Sequence, residues 1–220
     1  GKINLALEFV DQPSLYFPYF LDSRGRAYPK PAWLSPQGDD IARSLLRARD
    51  GKPITDENEG FFWLCVYGAN LYGVDKCNFE ERQAWVLDHQ DQIIALADAP
   101  FGNVEFWRAA DEPWTFLAFA FEFAAAIREG QGFVSTLPIF NDGTCNGLQH
   151  YAAMLRDRRS GEAVNLVPGE APSDIYGEVS HLVLQRMQRV TNGEEEWPAK
   201  WETAAKAKHI PWGAQEMAQK

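Results

Sequence analysis

The sequence predicts an α+β fold that is predominantly helical, with only short β-type runs. Two observations support the helices: apolar residues recur with helical spacing in several segments, and capping residues stand at segment ends. One observation supports the strands: the apolar run 136–142 ends on a carboxylate and a glycine-bearing turn follows it. At 220 residues, the chain can bury one sizeable core, or one core and a smaller lobe.

The predicted helices follow one another along most of the chain. Each is marked by a helical pattern of apolar residues, by capping residues, or by both. They are expected over residues 2–10, 40–50, 58–72, 78–97, 111–130, 148–155 and 173–190, with a weaker one at 198–208 and an extended stretch at 161–166. The segment 111–130 is apolar on nearly every side, so it should lie deep in the core.

Composition and charge indicate a soluble, cytosolic protein. Hydrophobic residues make up 45% of the chain, an ordinary globular value. The net charge of −10 argues against a generally basic nucleic-acid-binding surface, although it leaves room for a local basic groove. The three cysteines include no CxxC pair, which fits a reducing cytosol without disulfides or a zinc site. No signal peptide opens the chain, and its longest apolar run, 114–127, is too short to cross a membrane.

The stretch 136–150 carries the strongest candidate for chemistry. Asp142 is predicted at the end of a buried strand, where a carboxylate is held rigidly and can bind a hard cation such as Mg²⁺. Gly143 leaves the backbone open to a ligand, and Thr144 is a plausible N-cap for the next helix. The alternative is that Asp142 only caps this helix and Gly143 is an ordinary turn glycine. Spacing alone favours that alternative.

Two further segments carry positively charged side chains on predicted turns. After an aromatic β-type run, Arg24 and Arg26 flank a glycine, an arrangement that suits phosphate binding, but the arginines could equally pair with Asp22. Lys76, on the turn 73–76, could reach a triphosphate or simply occupy a surface loop. A third set of cations, Arg43, Arg47 and Arg49, is interpreted as the solvated face of a short helix.

The order of these motifs resembles that of one enzyme family. Residues 137–157 closely resemble the first catalytic palm motif of the single-subunit, bacteriophage-type DNA-directed RNA polymerases. Residues 22–26 resemble the family's Asp-x-x-Gly-Arg motif, with Ser23 where the family usually has tryptophan. Residues 35–40 fit its Pro-Gln-Gly-Asn-Asp loop. The resemblance extends over roughly residues 1–190.

The resemblance implies a fragment of a right-hand polymerase fold, with a small antiparallel palm-type sheet. Residues 1–158 would form a palm segment with helical insertions. Residues 159–220 would form the beginning of the fingers, with a poorly defined C-terminal linker. The host would be a phage-infected bacterium, and the protein would lie in its cytoplasm.

The resemblance also implies a reaction and a set of site residues. The reaction is template-directed nucleotidyl transfer from a ribonucleoside triphosphate to an RNA 3′ end, with two Mg²⁺ ions stabilising the attacking and leaving oxygens. Asp142 would be the catalytic, metal-bridging carboxylate and the Gly143 carbonyl a further metal ligand. The implied contacts are Lys76, Gly147 and Tyr176 to the nucleotide, and Arg24, Arg26 and Tyr28 to the nucleic acid.

The implied partners are a DNA template, an RNA transcript, ribonucleoside triphosphates and the remainder of the polymerase chain. The family's later Arg-x₃-Lys-x₆-Tyr-Gly helix and His-Asp-Ser turn do not occur before Lys220. The chain alone is therefore expected to be inactive. Two alternatives are a non-catalytic palm-like module that binds nucleic acid or protein, and a carbohydrate-active enzyme suggested by the acidity, the eight tryptophans and carboxylates such as Asp22 and Asp142.

Overall fold

A computed structural model describes residues 1–141, 143–169 and 171–196. The predicted Asp142 site and the predicted weak helix at 198–208 lie outside these residues. Contacts within the chain divide it into two compact units, the first ending at residue 142 and the second beginning at Gly143. Among the described residues, no helix is both long and apolar enough to span a bilayer.

The first unit contains seven helices and four short strands within its described residues. The helices are α1 (Lys2–Glu8), α2 (Asp40–Ser44), α3 (Gly60–Tyr72), α4 (Phe79–Asp88), α5 (Gln90–Asp98), α6 (Val104–Arg108) and α7 (Pro113–Glu129). The strands are β1 (Tyr19–Leu21), β2 (Ala27–Pro29), β3 (Lys52–Pro53) and β4 (Val134–Ser135). The described part of the second unit contains α8 (Asn146–Leu155), α9 (Arg158–Ala163) and α10 (Ile175–Thr191). The predicted, mainly helical α+β fold is confirmed.

The strands form two small antiparallel pairs. β1 pairs with β2, with Phe20 opposite Tyr28, and the chain turns between them at residues 22–26. β3 pairs with β4, with Lys52 opposite Ser135. The second pair joins residues far apart in the sequence and brings the chain after α7 back beside the segment before α3.

Helix α7 forms the centre of the core of the first unit. Phe116, Phe119 and Phe123 on this helix are fully buried, as expected for a segment that is apolar on nearly every side. Gly68 on α3 lets the Phe119 ring of α7 pack closely against the α3 backbone, since a Cβ atom at position 68 would come within 2.1 Å of this ring. Proline opens the helix at Pro113, where its missing N–H costs nothing.

The predicted helix at 78–97 is in fact two helices. α4 ends and α5 begins at His89, whose φ and ψ of −101° and 10° are not helical. The His89 ring stacks on Trp85 and its Nδ1 lies 2.7 Å from the Trp85 carbonyl oxygen. The break lets α4 pack on α3 while α5 packs on α7, and Val86 and Ile93 are both fully buried as a result. His89 is therefore half-buried against this turn.

The expected extended stretch at 161–166 is also wrong, because residues 158–163 form α9. Asp157 caps this helix by accepting a hydrogen bond from the Arg159 N–H at 3.2 Å. A hydrogen bond from the Ser160 hydroxyl is the main reason why the pKa of Asp157 is lowered. An ion pair between Arg158 and Glu162, one turn apart, further favours the helix.

Helix α2 is shorter than predicted, and two of the three arginines interpreted as its solvated face pair with acidic residues at or on α7, whereas Arg49 is 64% exposed. It ends at Ser44, and Arg43 pairs with Glu112 at 2.7 Å. Arg47 lies beyond the helix and pairs with Glu122 on α7 at 3.0 Å. These two arginines fix the segment after α2 against α7, a role that a helical pattern in the sequence does not reveal.

Asp40 caps α7 from a different element, and we expect its removal to destabilise the fold. Its carboxylate accepts hydrogen bonds from the backbone N–H groups of Trp114 (2.7 Å) and Thr115 (2.8 Å) in the first turn of α7. We expect Asp40→Ala to lower the free energy of unfolding by about 1–2 kcal/mol, the usual range for a lost N-cap. Urea denaturation measures this change. Asp50→Ala, which removes an exposed carboxylate, is the control, and equal effects of the two substitutions would contradict the capping role.

Candidate active site

The chain reaches the candidate site through residues 136–141, which were predicted to form a strand. Only Val134 and Ser135 pair as a strand, and the extended residues after them have no ladder partner within the described part of the chain. Two features explain the difference. Pro138 has no N–H to donate, and the N–H groups of Thr136 and Leu137 donate to a side chain instead.

That side chain is Glu122, a carboxylate on the apolar helix α7 that is only 7% exposed. Its Oε1 accepts hydrogen bonds from the Ser135 hydroxyl (2.7 Å), the Thr136 N–H (2.7 Å) and the Leu137 N–H (3.2 Å). Its Oε2 pairs with Arg47. The two carboxylate oxygens of Glu122 therefore have separate roles. Oε1 fixes residues 135–137, which lead to the candidate site, and Oε2 pairs with Arg47, whose positive charge compensates that of the carboxylate.

The turn that follows position 142 is shaped by small residues and a left-handed residue. At Gly143 a Cβ atom would overlap Oδ1 of Asn146, so a side chain there would force the Asn146 side chain to move. Cys145, with φ of 52°, is the N-cap residue of α8, and the prediction that Thr144 fills this position is wrong. At Gly147 a Cβ atom would meet no described atom within 4 Å, so this face of the helix is open.

Tyr176 lies in the first turn of α10 and is 68% exposed. Asp174 caps this helix by accepting hydrogen bonds from the N–H groups of Tyr176 and Gly177, both at 3.1 Å. The side chain of Asn165 connects the turn at Thr144 with Ser173, just before this cap. Nothing in the sequence marks Asn165 as a connecting residue, because the segment 161–166 was predicted to be an extended stretch.

The arginine turn in the first unit is built around Asp22. Its Oδ1 accepts hydrogen bonds from the backbone N–H groups of Arg26 (2.9 Å) and Arg24 (2.8 Å), and its Oδ2 accepts from the Arg24 guanidinium at 2.8 and 3.0 Å. The hydrogen bond from the Arg26 N–H is the main reason why the pKa of Asp22 is lowered. Arg24 also donates to the Tyr28 hydroxyl at 3.3 Å. The structure therefore brings Arg24 and Tyr28 together and leaves Arg26 exposed.

Lys76 stands on the turn between α3 and α4, and its side chain is 80% exposed. Its Nζ lies 3.1 Å from the Asp75 carboxylate. Arg82, only 5% exposed, holds this turn by donating to the carbonyl oxygens of Asp75 (2.7 Å) and Cys77 (2.9 Å). The backbone on either side of Lys76 is thus fixed, while its ammonium group reaches solvent.

Comparison with known proteins identifies the family. The family model described as DNA-dependent RNA polymerase matches residues 54–210, more than half of the chain. The chain belongs to this family. The match spans Lys76, the turn at Gly143 and Gly147, and Tyr176, which is most of the candidate site. The resemblance to bacteriophage-type polymerases is confirmed by individual relatives.

Three relatives illustrate the range of this polymerase family. The chain is 46% identical over 187 residues to the DNA-directed RNA polymerase of Enterobacteria phage T3, and this alignment covers 85% of the chain and 21% of the phage protein. It is 42% identical over 186 residues to the T7 RNA polymerase of Escherichia phage T7, covering 84% and 21%. It is 41% identical over 210 residues to the mitochondrial DNA-directed RNA polymerase of Neurospora crassa, covering 94% and 14%. The chain spans about a fifth or less of the length of these relatives.

Proposed function

We propose that the polymerase containing this chain synthesises RNA on a DNA template, and that this chain supplies part of its catalytic centre. The single observation that carries the proposal is the family match over residues 54–210, which includes the motif around Gly143. The reaction is the attack of an RNA 3′-hydroxyl on the α-phosphate of a ribonucleoside triphosphate, which releases pyrophosphate. DNA template, RNA transcript, ribonucleoside triphosphates and the rest of the polymerase chain are the proposed partners.

Asp142 and Gly143 are the proposed Mg²⁺ ligands in this chain. A carboxylate and a backbone carbonyl are the hard oxygen donors that Mg²⁺ takes. The missing side chain at Gly143 leaves room for the Asn146 side chain. Among the described residues, no group of three or more His, Cys, Asp or Glu side chains could hold a metal. When bound, Mg²⁺ ions stabilise the charge on the attacking and leaving oxygens, and further carboxylate ligands would come from another part of the polymerase.

Three residues are proposed to bind the incoming nucleotide. Lys76 offers an exposed ammonium group to the triphosphate from a turn that Arg82 holds rigidly. Gly147 presents an open helix face to which a ligand can come close. Tyr176 offers an exposed aromatic ring, which can pack against a base or a sugar.

The arginine turn is proposed to bind the nucleic-acid backbone near the growing RNA end. Since Asp22 already occupies the guanidinium group of Arg24, the geometry favours Arg26 as the direct phosphate contact. Arg24 then serves mainly to orient Tyr28, whose ring packs beside Phe20 on the neighbouring strand. We further assign residues 1–158 to the palm and 159–220 to the start of the fingers, and we place the protein in the host cytoplasm.

Lys76→Ala is expected to weaken nucleotide binding selectively. We expect the KM for ribonucleoside triphosphates to rise about tenfold, because one charge-assisted hydrogen bond to a phosphate is lost. Steady-state primer extension by the intact gene product measures this effect. Lys52→Ala removes an exposed lysine on β3 and serves as the control. A KM that is unchanged in the Lys76 variant, or raised equally in both, would contradict the assignment.

Extension of a primer tests the proposed function directly. The intact gene product from its source is incubated with an RNA primer annealed to a DNA template, the four ribonucleoside triphosphates and Mg²⁺. We expect RNA extension that requires all of these components. Extension in the absence of the template, or no extension under any condition, would refute the proposal.

A further inference from the structure

We propose that Asn165 is a positioning residue that sets the distance between two parts of the nucleotide site. These parts are the turn before α8, which leads to Gly147, and the first turn of α10, which carries Tyr176. The inference rests on the proposed function, in which Gly147 and Tyr176 contact the incoming nucleotide. Asn165 itself is not proposed to touch the nucleotide.

The Asn165 side chain bridges the two turns directly. Its Nδ2 donates to the Thr144 hydroxyl at 3.1 Å and to the Ser173 carbonyl oxygen at 2.8 Å. Its Oδ1 accepts a hydrogen bond from the Ser173 N–H at 2.7 Å. Because a backbone N–H can only donate, this last bond fixes which atom of the amide is the oxygen. Both donor hydrogens of the amide are therefore used, one on each side of the bridge.

The backbone of Asn165 explains why asparagine suits this position. Its φ of 56° lies in the left-handed region, which asparagine enters more readily than most residues with a side chain. The loop around it is anchored independently. The Leu166 N–H donates to the Gly161 carbonyl oxygen at 2.8 Å, and Gln149 on α8 donates to the Val164 carbonyl oxygen at 2.8 Å. With the loop held to α8 and α9, the Asn165 side chain is free to fix the segment before α10.

Within the described part of the chain, the Asp174 cap and the bridge through Asn165 both hold the beginning of helix α10. None of its residues, Ile175 to Thr191, is buried. Its first residue, Ile175, is half-buried, so the polar bridge through Asn165 acts beside limited apolar packing in placing the first turn. A change in this bridge should move Tyr176 relative to Gly147 and so weaken nucleotide binding.

The test replaces Asn165 in the intact gene product. Asn165→Gly removes the three side-chain hydrogen bonds and keeps a residue that adopts positive φ without strain. We expect the KM for ribonucleoside triphosphates to rise about tenfold, which corresponds to the net loss of one to three neutral hydrogen bonds. The kcat and the KM for the primed template should stay close to their wild-type values.

Two further variants separate positioning from general stability. Asn165→Asp keeps the acceptor for the Ser173 N–H but sets a carboxylate oxygen against the Ser173 carbonyl oxygen, so its KM should rise at least as much as that of Asn165→Gly. Asn192→Gly makes the same chemical change at the other end of α10, where the asparagine side chain donates to Glu194 at 3.3 Å. This control should leave the KM at its wild-type value.

The outcomes of these measurements distinguish a failure of the Asn165 inference from a failure of the proposed function. An unchanged nucleotide KM in Asn165→Gly, with only the thermal stability lowered, would show a purely structural role and overturn the inference while RNA synthesis by the wild type still supports the proposed function. If the glycine variant does not fold, the aspartate variant decides, and a wild-type KM in that variant overturns the inference. If the wild type makes no RNA, the proposed function fails and this inference fails with it.

Discussion

Replacing Asp142 by alanine is expected to reduce templated RNA synthesis by the intact gene product by about a thousandfold or more. A bound metal ion contributes several kcal/mol of transition-state stabilisation, and each 1.36 kcal/mol corresponds to about a factor of ten in rate. The loss of the proposed metal ligand should therefore appear in kcat. The KM for nucleotides should change far less, because Lys76 and Tyr176, the proposed nucleotide contacts, remain. Single-turnover primer extension at saturating nucleotide measures the chemical step.

A matched control separates this effect from a general loss of negative charge. Asp50→Ala removes a carboxylate whose side chain is 90% exposed, and it should leave the rate of RNA synthesis unchanged. Asp142→Asn should be nearly as defective as the alanine variant, because an amide is a poor ligand for Mg²⁺ compared with a carboxylate. An Asp142 variant that retains a tenth or more of the wild-type rate would exclude this residue as a catalytic metal ligand.

Glu122→Ala is expected to destabilise the chain by about 3 kcal/mol, since buried donors left unpaired each cost about 1–3 kcal/mol. The substitution removes the acceptor for the N–H groups of Thr136 and Leu137 and for the Ser135 hydroxyl. It also leaves Arg47 without its carboxylate, although this arginine is 37% exposed and can turn toward water. Chemical denaturation of the 220-residue chain measures the change in the free energy of unfolding.

Arg47→Ala distinguishes the two tasks of Glu122. This substitution breaks the ion pair but leaves the three hydrogen bonds to residues 135–137 in place. We expect a smaller cost than for Glu122→Ala, because the carboxylate keeps its three hydrogen bonds and Arg47 is partly exposed. If Arg47→Ala destabilises the chain as much as Glu122→Ala does, the ion pair rather than the backbone contacts would be the main contribution of Glu122.

The features that the sequence predicts correctly are those determined locally. Pro113 and Gly130 mark the two ends of α7, and Asp174 caps α10, as their positions beside helical patterns indicate. The fully buried Phe119 follows from a helix that is apolar on nearly every side. These signals lie within one or two turns of the residues they affect, so composition and spacing suffice to recognise them.

The features that the sequence does not predict join distant parts of the chain. Arg47 and Glu122 are 75 positions apart, and so are Asp40 and Thr115. In the sequence, Glu122 is a lone carboxylate within an apolar helix. This indicates that it has a buried partner, but it does not identify that partner.

The break at His89 has a similar origin. It arises because α4 and α5 pack on different helices, and a local helical pattern contains no information about this.

The candidate site shows the same limit. The motif around Gly143 and the cap at Asp174 can be recognised from the sequence, because each is contained in a few adjacent residues. The bridge through Asn165 cannot, since it depends on a left-handed backbone and on two partners at positions 144 and 173. Family resemblance indicates the residues that are proposed to touch substrates. A residue that positions those contacts, such as Asn165, is recognised only from the three-dimensional structure.

The most direct test of the central claim is the sequence of the RNA that the intact gene product makes. Two primed DNA templates that differ at a single base are supplied with the four ribonucleoside triphosphates and Mg²⁺, and the products are sequenced. We predict two RNAs that differ at that one position, each complementary to its template. Products that are identical on the two templates, or the absence of any product, would contradict the assignment of this chain to the catalytic centre of a DNA-directed RNA polymerase.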